Sequence, residues 1–523
     1  MAEHRKTSNS SVGRKQGPCL ERAAETRLGH FVMVIFGGAG DLAGRMLLPA
    51  LYDLQKDRDF AANYSILGVG RTPRSDESYR AFATSAIKRY FKDGYRPDHA
   101  AAFAGHLHYL AGSVEDDAFY GSLRERLDRL SPSGDVQHAN LVFYLAVPPR
   151  LVPVIVAGLR KFSLCRAMPN AKLIVEKPFG HDRKSAEALN RQILGAFDEK
   201  QVFRIDHYLA KETVQNIMFF RFGNNIFEPV WNARYVDHVQ ITVAEDIGVE
   251  DRGAFYEEVG VIRDIVQNHL MQVLAMVAME PPAGFDADLV RDEKVKVFHS
   301  LRRMDARYAK EYTVLGQYGS GRIGGRAVRG YRSENHVSPS SHAPTFFAGK
   351  FYIDNWRWAG VPFYLRTGKR LPRRTSEIYI EFKKLPLRSF GRVCGPMPPN
   401  GLALSIQPQE TIRLILTVKY PGMGSAPSQV SMDFDYAKSF RVKPHPVYER
   451  VLFDFIRGDL TLFPRQDAVD ATWAVLDPVI KSWEAHPPAH FPNYAAGTWG
   501  PREAFRLMAR EGRAWRFSSE GPG

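Results

Sequence analysis

His30-Phe31-Val32-Met33-Val34-Ile35-Phe36-Gly37-Gly38-Ala39-Gly40-Asp41-Leu42-Ala43-Gly44 decides how the first part of the chain folds. His30 to Phe36 reads as a strand covered on both faces in a parallel sheet, since Phe31 to Phe36 is continuously apolar. Gly37, Gly38 and Gly40 then allow a turn tight enough for the backbone to approach a ligand, and a helix is expected after it. Amides at that helix start suit a pyrophosphate. The spacing is not the usual G-x-G-x-x-G, so a tight turn with no ligand is the alternative.

The next strand, read over Tyr64 to Val69, runs into Gly70-Arg71-Thr72-Pro73-Arg74. An acidic residue there would meet a free ribose 2′-hydroxyl, whereas two arginines favour a 2′-phosphate, hence NADP. Leu141 to Val147, ending in Pro148-Pro149, repeats the strand-loop-helix beat, as does Lys172 to Val175, ending in Glu176-Lys177-Pro178-Phe179-Gly180. Residues past the carboxyl ends of such strands face the ligand crevice, which places Lys177 to meet both cofactor and substrate. The bland alternative is a surface lysine before a proline turn.

Arg204-Ile205-Asp206-His207-Tyr208-Leu209-Ala210-Lys211-Glu212 gathers a carboxylate, an imidazole, a phenol and an ammonium. Such a set suits a small anionic molecule. If its end is helical, His207 and Lys211 stand one turn apart on one face; a charged helix start on a solvated surface is the alternative.

The 523 residues are 44% hydrophobic and 24% charged, values of a globular chain that favour two domains over one. No apolar run approaches the roughly 20 residues that span a bilayer. Residues 1–29 are polar and lack a secretory apolar segment, so a disordered tail is expected. Cys19, Cys165 and Cys394 have no metal-ligand spacing and cannot build a disulfide framework, which points to a reducing compartment, taken as the cytoplasm, and to no metal. The formal charge of +14 is spread along the chain without a basic stripe, which argues against nucleic acid and fits steering of phosphorylated metabolites and dinucleotides.

Several blocks together resemble the glucose-6-phosphate dehydrogenase family, in its bacterial wording. These are Gly40-Asp41-Leu42-Ala43, the Glu176 to Gly180 loop, the Arg204 to Glu212 string and Arg263-Asp264-Ile265-Val266-Gln267-Asn268-His269-Leu270. Val290-Arg291-Asp292-Glu293-Lys294-Val295-Lys296-Val297, Val314 to Tyr318, Asp354 to Phe363 and Arg366-Thr367-Gly368-Lys369 continue the likeness in the same order. The resemblance implies an α/β NADP-binding domain of Rossmann type over 30–204. After it, over 205–523, comes an α+β substrate-binding and oligomerisation domain with a large, mainly antiparallel sheet. Tyr235 to Ala244, Phe346 to Ile353, Ser376 to Phe382 and Glu410 to Lys419 have the composition for that sheet. A homodimer or homotetramer is implied.

The implied reaction is oxidation of glucose 6-phosphate at C1 by NADP, for which a base near neutral pKa is wanted. By resemblance that base is His269, on a helix from Val261 to about Met279, and Asp206 orients it. Asp264 lies five residues from His269, about 140° around a regular helix at about 100° per residue, so direct pairing is awkward. Asp264 and Glu245 then look like partners for sugar hydroxyls, Asp264 having an ion pair with Arg263 as its bland alternative. His207, Tyr208 and Lys211, with Lys369 and Arg374, are implied phosphate ligands, and Lys177 contributes to both sites. Gly37, Gly38, Ala39, Gly40, Asp41, Leu42, Arg71, Ser113, Val114 and Tyr144 are implied at the cofactor. Three departures from the family pattern stand out: Ala210 for Gly, Gly44 for a cation, and Pro344 for an acidic residue. A related sugar oxidoreductase with a Glu-Lys-Pro loop, or a non-catalytic relative, are the rival readings.

Overall fold

β1 (Phe31–Phe36) is buried along its whole length within a sheet completed by β2 (Tyr64–Gly70), β3 (Leu107–Ala111), β4 (Leu141–Leu145), β5 (Lys172–Val175) and β6 (Val202–Arg204). All neighbours are parallel, in the order β3-β2-β1-β4-β5-β6. The chain winds outward from β1 in one direction and from β4 in the other, so a crevice opens beside their carboxyl ends, where dinucleotides bind in such sheets. This computed structural model describes residues 28–56, 64–91, 94–131, 139–385, 397–423, 426–440 and 446–517. All but the last two residues of the expected tail, together with Cys19 and Cys394, lie outside the described residues.

The second sheet has eight strands. They are β7 (Val236–Ala244), β8 (Thr313–Gly316), β9 (Phe346–Tyr352), β10 (Pro362–Gly368), β11 (Thr375–Phe382), β12 (Gly401–Gln407), β13 (Thr411–Lys419) and β14 (Pro427–Asp435). Their order is β14-β13-β12-β11-β7-β10-β9-β8. β7 and β10 run parallel and every other pair is antiparallel. One consequence carries the site: the carboxyl ends of β7, β10 and β12 and the amino end of β11 lie at the same end of the sheet. Glu245, Lys369, Gln407 and Arg374 therefore cluster although they come from four separate segments.

The expected helix over Val261 to Met279 is present in altered form. Helix Gly253–Val261 is kinked at Gly260, whose φ is +62°, and a π-helix over Ile262–Leu270 is followed by regular helix over Met271–Ala278. Pro344 accounts for the kink's surroundings. Its carbonyl accepts the Val261 N–H at 3.0 Å, and its ring would lie 3.3 Å from a Cβ at Gly260. Ala210 is not among the described non-glycine residues with positive φ, so the missing glycine costs no backbone strain. A Cβ at Gly44 would meet the Phe82 ring at 3.1 Å, which leaves no room for a long cation unless Phe82 moves.

Candidate active site

Asp206 and His207 follow β6 directly, Lys177 follows β5, and the glycine turn follows β1, so all three arrive at the crevice edge of the parallel sheet. Only the last residue of the Arg204 to Glu212 string is helical: helix Glu212–Phe222 begins just after Lys211, and residues 207–211 form a turn. His207 and Lys211 still reach one cavity, by way of that turn and not by helical spacing.

His269 lies fully buried in the π-helix. Its Nδ1 is 2.5 Å from Asp206 Oδ1, and its Nε2 is 2.9 Å from Lys177 Nζ. An ammonium has no acceptor, so Nε2 must carry the lone pair and Nδ1 the proton, which it donates to Asp206. Burial, with Lys177 adding to it, pushes the imidazole well below its ordinary value, so the ring is neutral and able to take a proton. The Asp206 carboxyl is pushed up by burial, against the cations around it.

Five-residue spacing means something different in this helix. Hydrogen bonds of a π-helix join residues five apart, so Asp264 and His269 share a face. They do not pair directly. Lys177 joins them, donating to the Asp264 carbonyl at 2.8 Å and to its Oδ1 at 3.3 Å. Arg252 approaches the same carboxylate at 3.6 Å, whereas Arg263 pairs with Glu484. Burial would raise the Asp264 carboxyl, but Lys177, Arg252 and Lys369 hold it well below the usual carboxylate range.

These groups open onto a cavity of about 650 Å³ lined by Lys177, His207, Tyr208, Lys211, Glu245, Asp264, His269 and Arg374. Arg45, Arg252, Gln407 and Tyr448 line it as well. Five cationic side chains (Arg45, Lys177, Lys211, Arg252, Arg374) face three carboxylates (Glu245, Asp264, Glu449) on its walls, an excess that favours an anion. Lys211 and Arg374 converge on the neutral Oε1 of Gln407, at 2.8 and 3.3 Å, and the Tyr208 hydroxyl is 3.3 Å from Ser376 Oγ. Lys369 is buried and bound to Glu245 at 2.7 Å, and it is not among the residues lining the cavity.

Gly37, with φ +81°, would place a Cβ 2.3 Å from the Ala146 carbonyl oxygen, and a Cβ at Gly38 would fall 2.5 Å from Gly68 Cα. Both amides bond Val69 O and that of Gly40 bonds Gly37 O, so these glycines shape the turn. Helix starts leave their first-turn amides unpaired, here those of Asp41, Leu42 and Ala43, which offer the anion contact. Ala39, Gly40, Asp41, Gly44, Arg45 and Arg89 border a second cavity of about 310 Å³. Arg71 is exposed past β2, and Arg74 packs on Phe82 with its Nε buried and lacking a hydrogen-bond partner among the described residues. Such a turn, followed by two arginines, fits a dinucleotide bearing a 2′-phosphate. Ser113 and Val114 lie half-buried in the loop after β3. Tyr144 is placed differently from its expected cofactor role: it is fully buried, its hydroxyl 2.5 Å from Glu176 Oε1.

Gln407, Arg252 and Tyr448 were not singled out from sequence. Each lies in a stretch without a local signature, and only the assembled fold brings them to the cavity.

A neutral imidazole lining a cavity beside the crevice of a dinucleotide-binding sheet is an arrangement that suits an oxidoreductase acting on an alcohol. Residues 34–216 match the family model described as glucose-6-phosphate dehydrogenase, NAD binding domain, and residues 218–516 match that of the C-terminal domain. The glucose-6-phosphate 1-dehydrogenase of Aggregatibacter actinomycetemcomitans is 45% identical over 93% of this chain and 97% of its own length. That of Rhizobium meliloti is 43% identical over the same shares. A solved glucose-6-phosphate dehydrogenase in complex with its substrate glucose 6-phosphate superposes with a TM-score of 0.84 at 32% identity, covering 94% of this chain and 98% of the other. The Mycobacterium avium enzyme gives 0.80 at 36% identity, with 93% and 98% covered. The chain belongs to the glucose-6-phosphate dehydrogenase family.

Proposed function

We propose that His269 Nε2 removes the C1 hydroxyl proton of glucose 6-phosphate as hydride leaves C1, with Asp206 holding the imidazole in the working tautomer. The chain is an NADP-dependent oxidoreductase that converts glucose 6-phosphate to 6-phospho-D-glucono-1,5-lactone, the first step of the oxidative pentose phosphate pathway. NADP, when bound at the glycine turn, supplies the hydride acceptor. The C1 hydroxyl takes the place of the Lys177 ammonium at Nε2, and Lys177, still anchored to Asp264, is then free to donate to the sugar. Asp264 and Glu245 accept from the remaining hydroxyls, Lys369 holding Glu245 in place. His207, Tyr208, Lys211 and Arg374 receive the phosphate.

The observation that carries this reading is the Lys177–His269–Asp206 chain of contacts, with one imidazole nitrogen committed to a buried carboxylate and the other to Lys177 at the cavity wall. Appearance of NADPH absorbance on mixing the protein with NADP and glucose 6-phosphate tests it. Asp206→Asn should lower kcat about 10²–10⁴-fold by favouring the wrong tautomer. A variant with wild-type kcat would remove Asp206 from the pair.

A division of the chain near residue 204 is supported by β6 being the last strand of the parallel sheet. A homo-oligomer is supported by the outer strands of the second sheet. Ile412, Leu414 and Leu416 pair with Phe434, Met432 and Val430, an apolar ladder on one face in which Met432 is 63% exposed. Apolar faces of this kind mark association sites. Met432→Glu should shift the sedimentation profile from dimer or tetramer to monomer, and an unchanged profile would move the interface elsewhere. No described helix is long and apolar enough to cross a membrane, and the low cysteine content supports a cytoplasmic setting.

A further inference from the structure

The run Val290–Val297 has no part in the chemistry above, yet it places an ammonium inside the protein. Lys294, on helix Ala287–Ser300, is 2% exposed. It falls on the same helical stripe as Val290, Val297 and Phe298, all buried. Lysine is rarely buried unless paired. The other charged residues of the run have partners: Arg291 with Glu199 and Asp288, Asp292 with Arg465, and Glu293 with Lys296. Among the described residues, Lys294 has neither an ion pair nor a hydrogen bond of this kind.

A second unmatched group lies on the catalytic side. Asp206 Oδ1 accepts from both His269 Nδ1 and the Tyr208 amide. Its Oδ2 is buried and has no hydrogen-bond partner among the described residues. Asp206 is the anion whose charge acts on Lys294, and Lys294 is among the cations acting on Asp206.

We propose that Lys294 is a positioning residue for the reaction: its buried ammonium, though not in ion-pair contact with Asp206, supplies the positive field that keeps that carboxylate ionised. His269 is thereby fixed with its lone pair on Nε2. This rests on the reading of Asp206 and His269 as the base pair. The charged groups bearing on the assembly are Lys177, His207 and Lys294 around Asp206, Arg291 beside Lys294, and Lys177, Asp264 and Lys211 around His269. Removing one positive charge from this set makes the pair hold its proton more tightly, so the acid limb of the rate profile moves to higher pH. Burial pushes the Lys294 ammonium down to about 7, so its field acts mainly below neutrality and fades at alkaline pH.

The test is the pH profile of kcat/KM for glucose 6-phosphate, at saturating NADP, in Lys294→Met, Lys294→Gln and Lys294→Arg. Both neutral variants should move the acid midpoint up by about one pH unit, a tenfold loss at the acid end, and come within about threefold of wild type near pH 9. The arginine variant should keep the wild-type midpoint. A midpoint unmoved in the neutral variants, or moved equally in the arginine variant, overturns the inference. Should neither neutral variant fold, Asp206→Asn/Lys294→Met should restore folding, because no buried charge is then left unmatched; failure of that double variant overturns it too. Wild-type rates in Asp206→Asn alone would instead sink the base-pair reading. An inactive Asp206→Asn beside an unmoved Lys294 midpoint would sink only the role of Lys294.

Discussion

Replacing His269 by asparagine should lower kcat for glucose 6-phosphate about 10³–10⁴-fold while KM changes little, because a base acts on the transition state and not on ground-state binding. Asparagine is chosen because its amide can still donate to Asp206 in place of Nδ1–H, so the buried carboxylate is not left unmatched. Stopped assays following NADPH absorbance measure the loss, and an unchanged thermal midpoint shows that the fold survives. Any variant within tenfold of wild type would take His269 out of the chemistry. The pH dependence has a fixed sign. Burial, then Lys177, lowers the imidazole well below its ordinary value, so the neutral base persists through pH 7 and activity falls only as pH drops through that lowered pKa. Lys177→Met should raise the acid midpoint, since one of the depressing charges is gone.

Four strands of the parallel sheet were legible because they are short, mostly apolar and closed by turn residues, and Lys172 to Val175 is observed with the bounds read from sequence; β3, interrupted by His108, and the three-residue β6 were not. Half of the second sheet was legible for the same reason. β12 and β14 were not, since Gly401-Leu-Ala-Leu-Ser-Ile-Gln and the polar Ser428, Gln429, Ser431 and Asp433 give weak alternation. β10 opens with Pro362 and ends at Gly368, and both residues usually argue against a strand interior. The pairing of Asp206 with His269 came from family resemblance together with a helix-angle argument against Asp264. That argument assumed 3.6 residues per turn, whereas the π-helix aligns residues five apart. Its outcome stands for another reason: Lys177 occupies the space between Asp264 and the imidazole. Lys369 and Arg374 were both assigned to phosphate, and nothing in a sequence distinguishes a lysine neutralised by Glu245 from an arginine left facing a cavity.

That distinction sets the largest expected effect on binding. Lys211 and Arg374 share one neutral acceptor, Gln407 Oε1, and among the described residues neither forms an ion pair with a carboxylate, so both can turn to an arriving anion. A sugar phosphate, dianionic above its second pKa near 6, can take both. Charge-assisted hydrogen bonds are worth about 1.5–3 kcal/mol each. Lys211→Met/Arg374→Met should therefore raise KM for glucose 6-phosphate about 10²–10³-fold and leave kcat/KM for unphosphorylated glucose nearly unchanged. Because the two cations share a partner, the single variants should not sum to the double. Burial, with Arg374 adding to it, pushes the Lys211 ammonium down to about 8. The protonated form is the one that binds, so affinity is full below that value and KM for glucose 6-phosphate climbs as pH rises through it, about tenfold per unit. In Lys211→Met that alkaline rise should vanish. Equal losses with glucose and glucose 6-phosphate would show instead that Lys211 and Arg374 support the sugar-binding wall and that the phosphate lies elsewhere in the cavity.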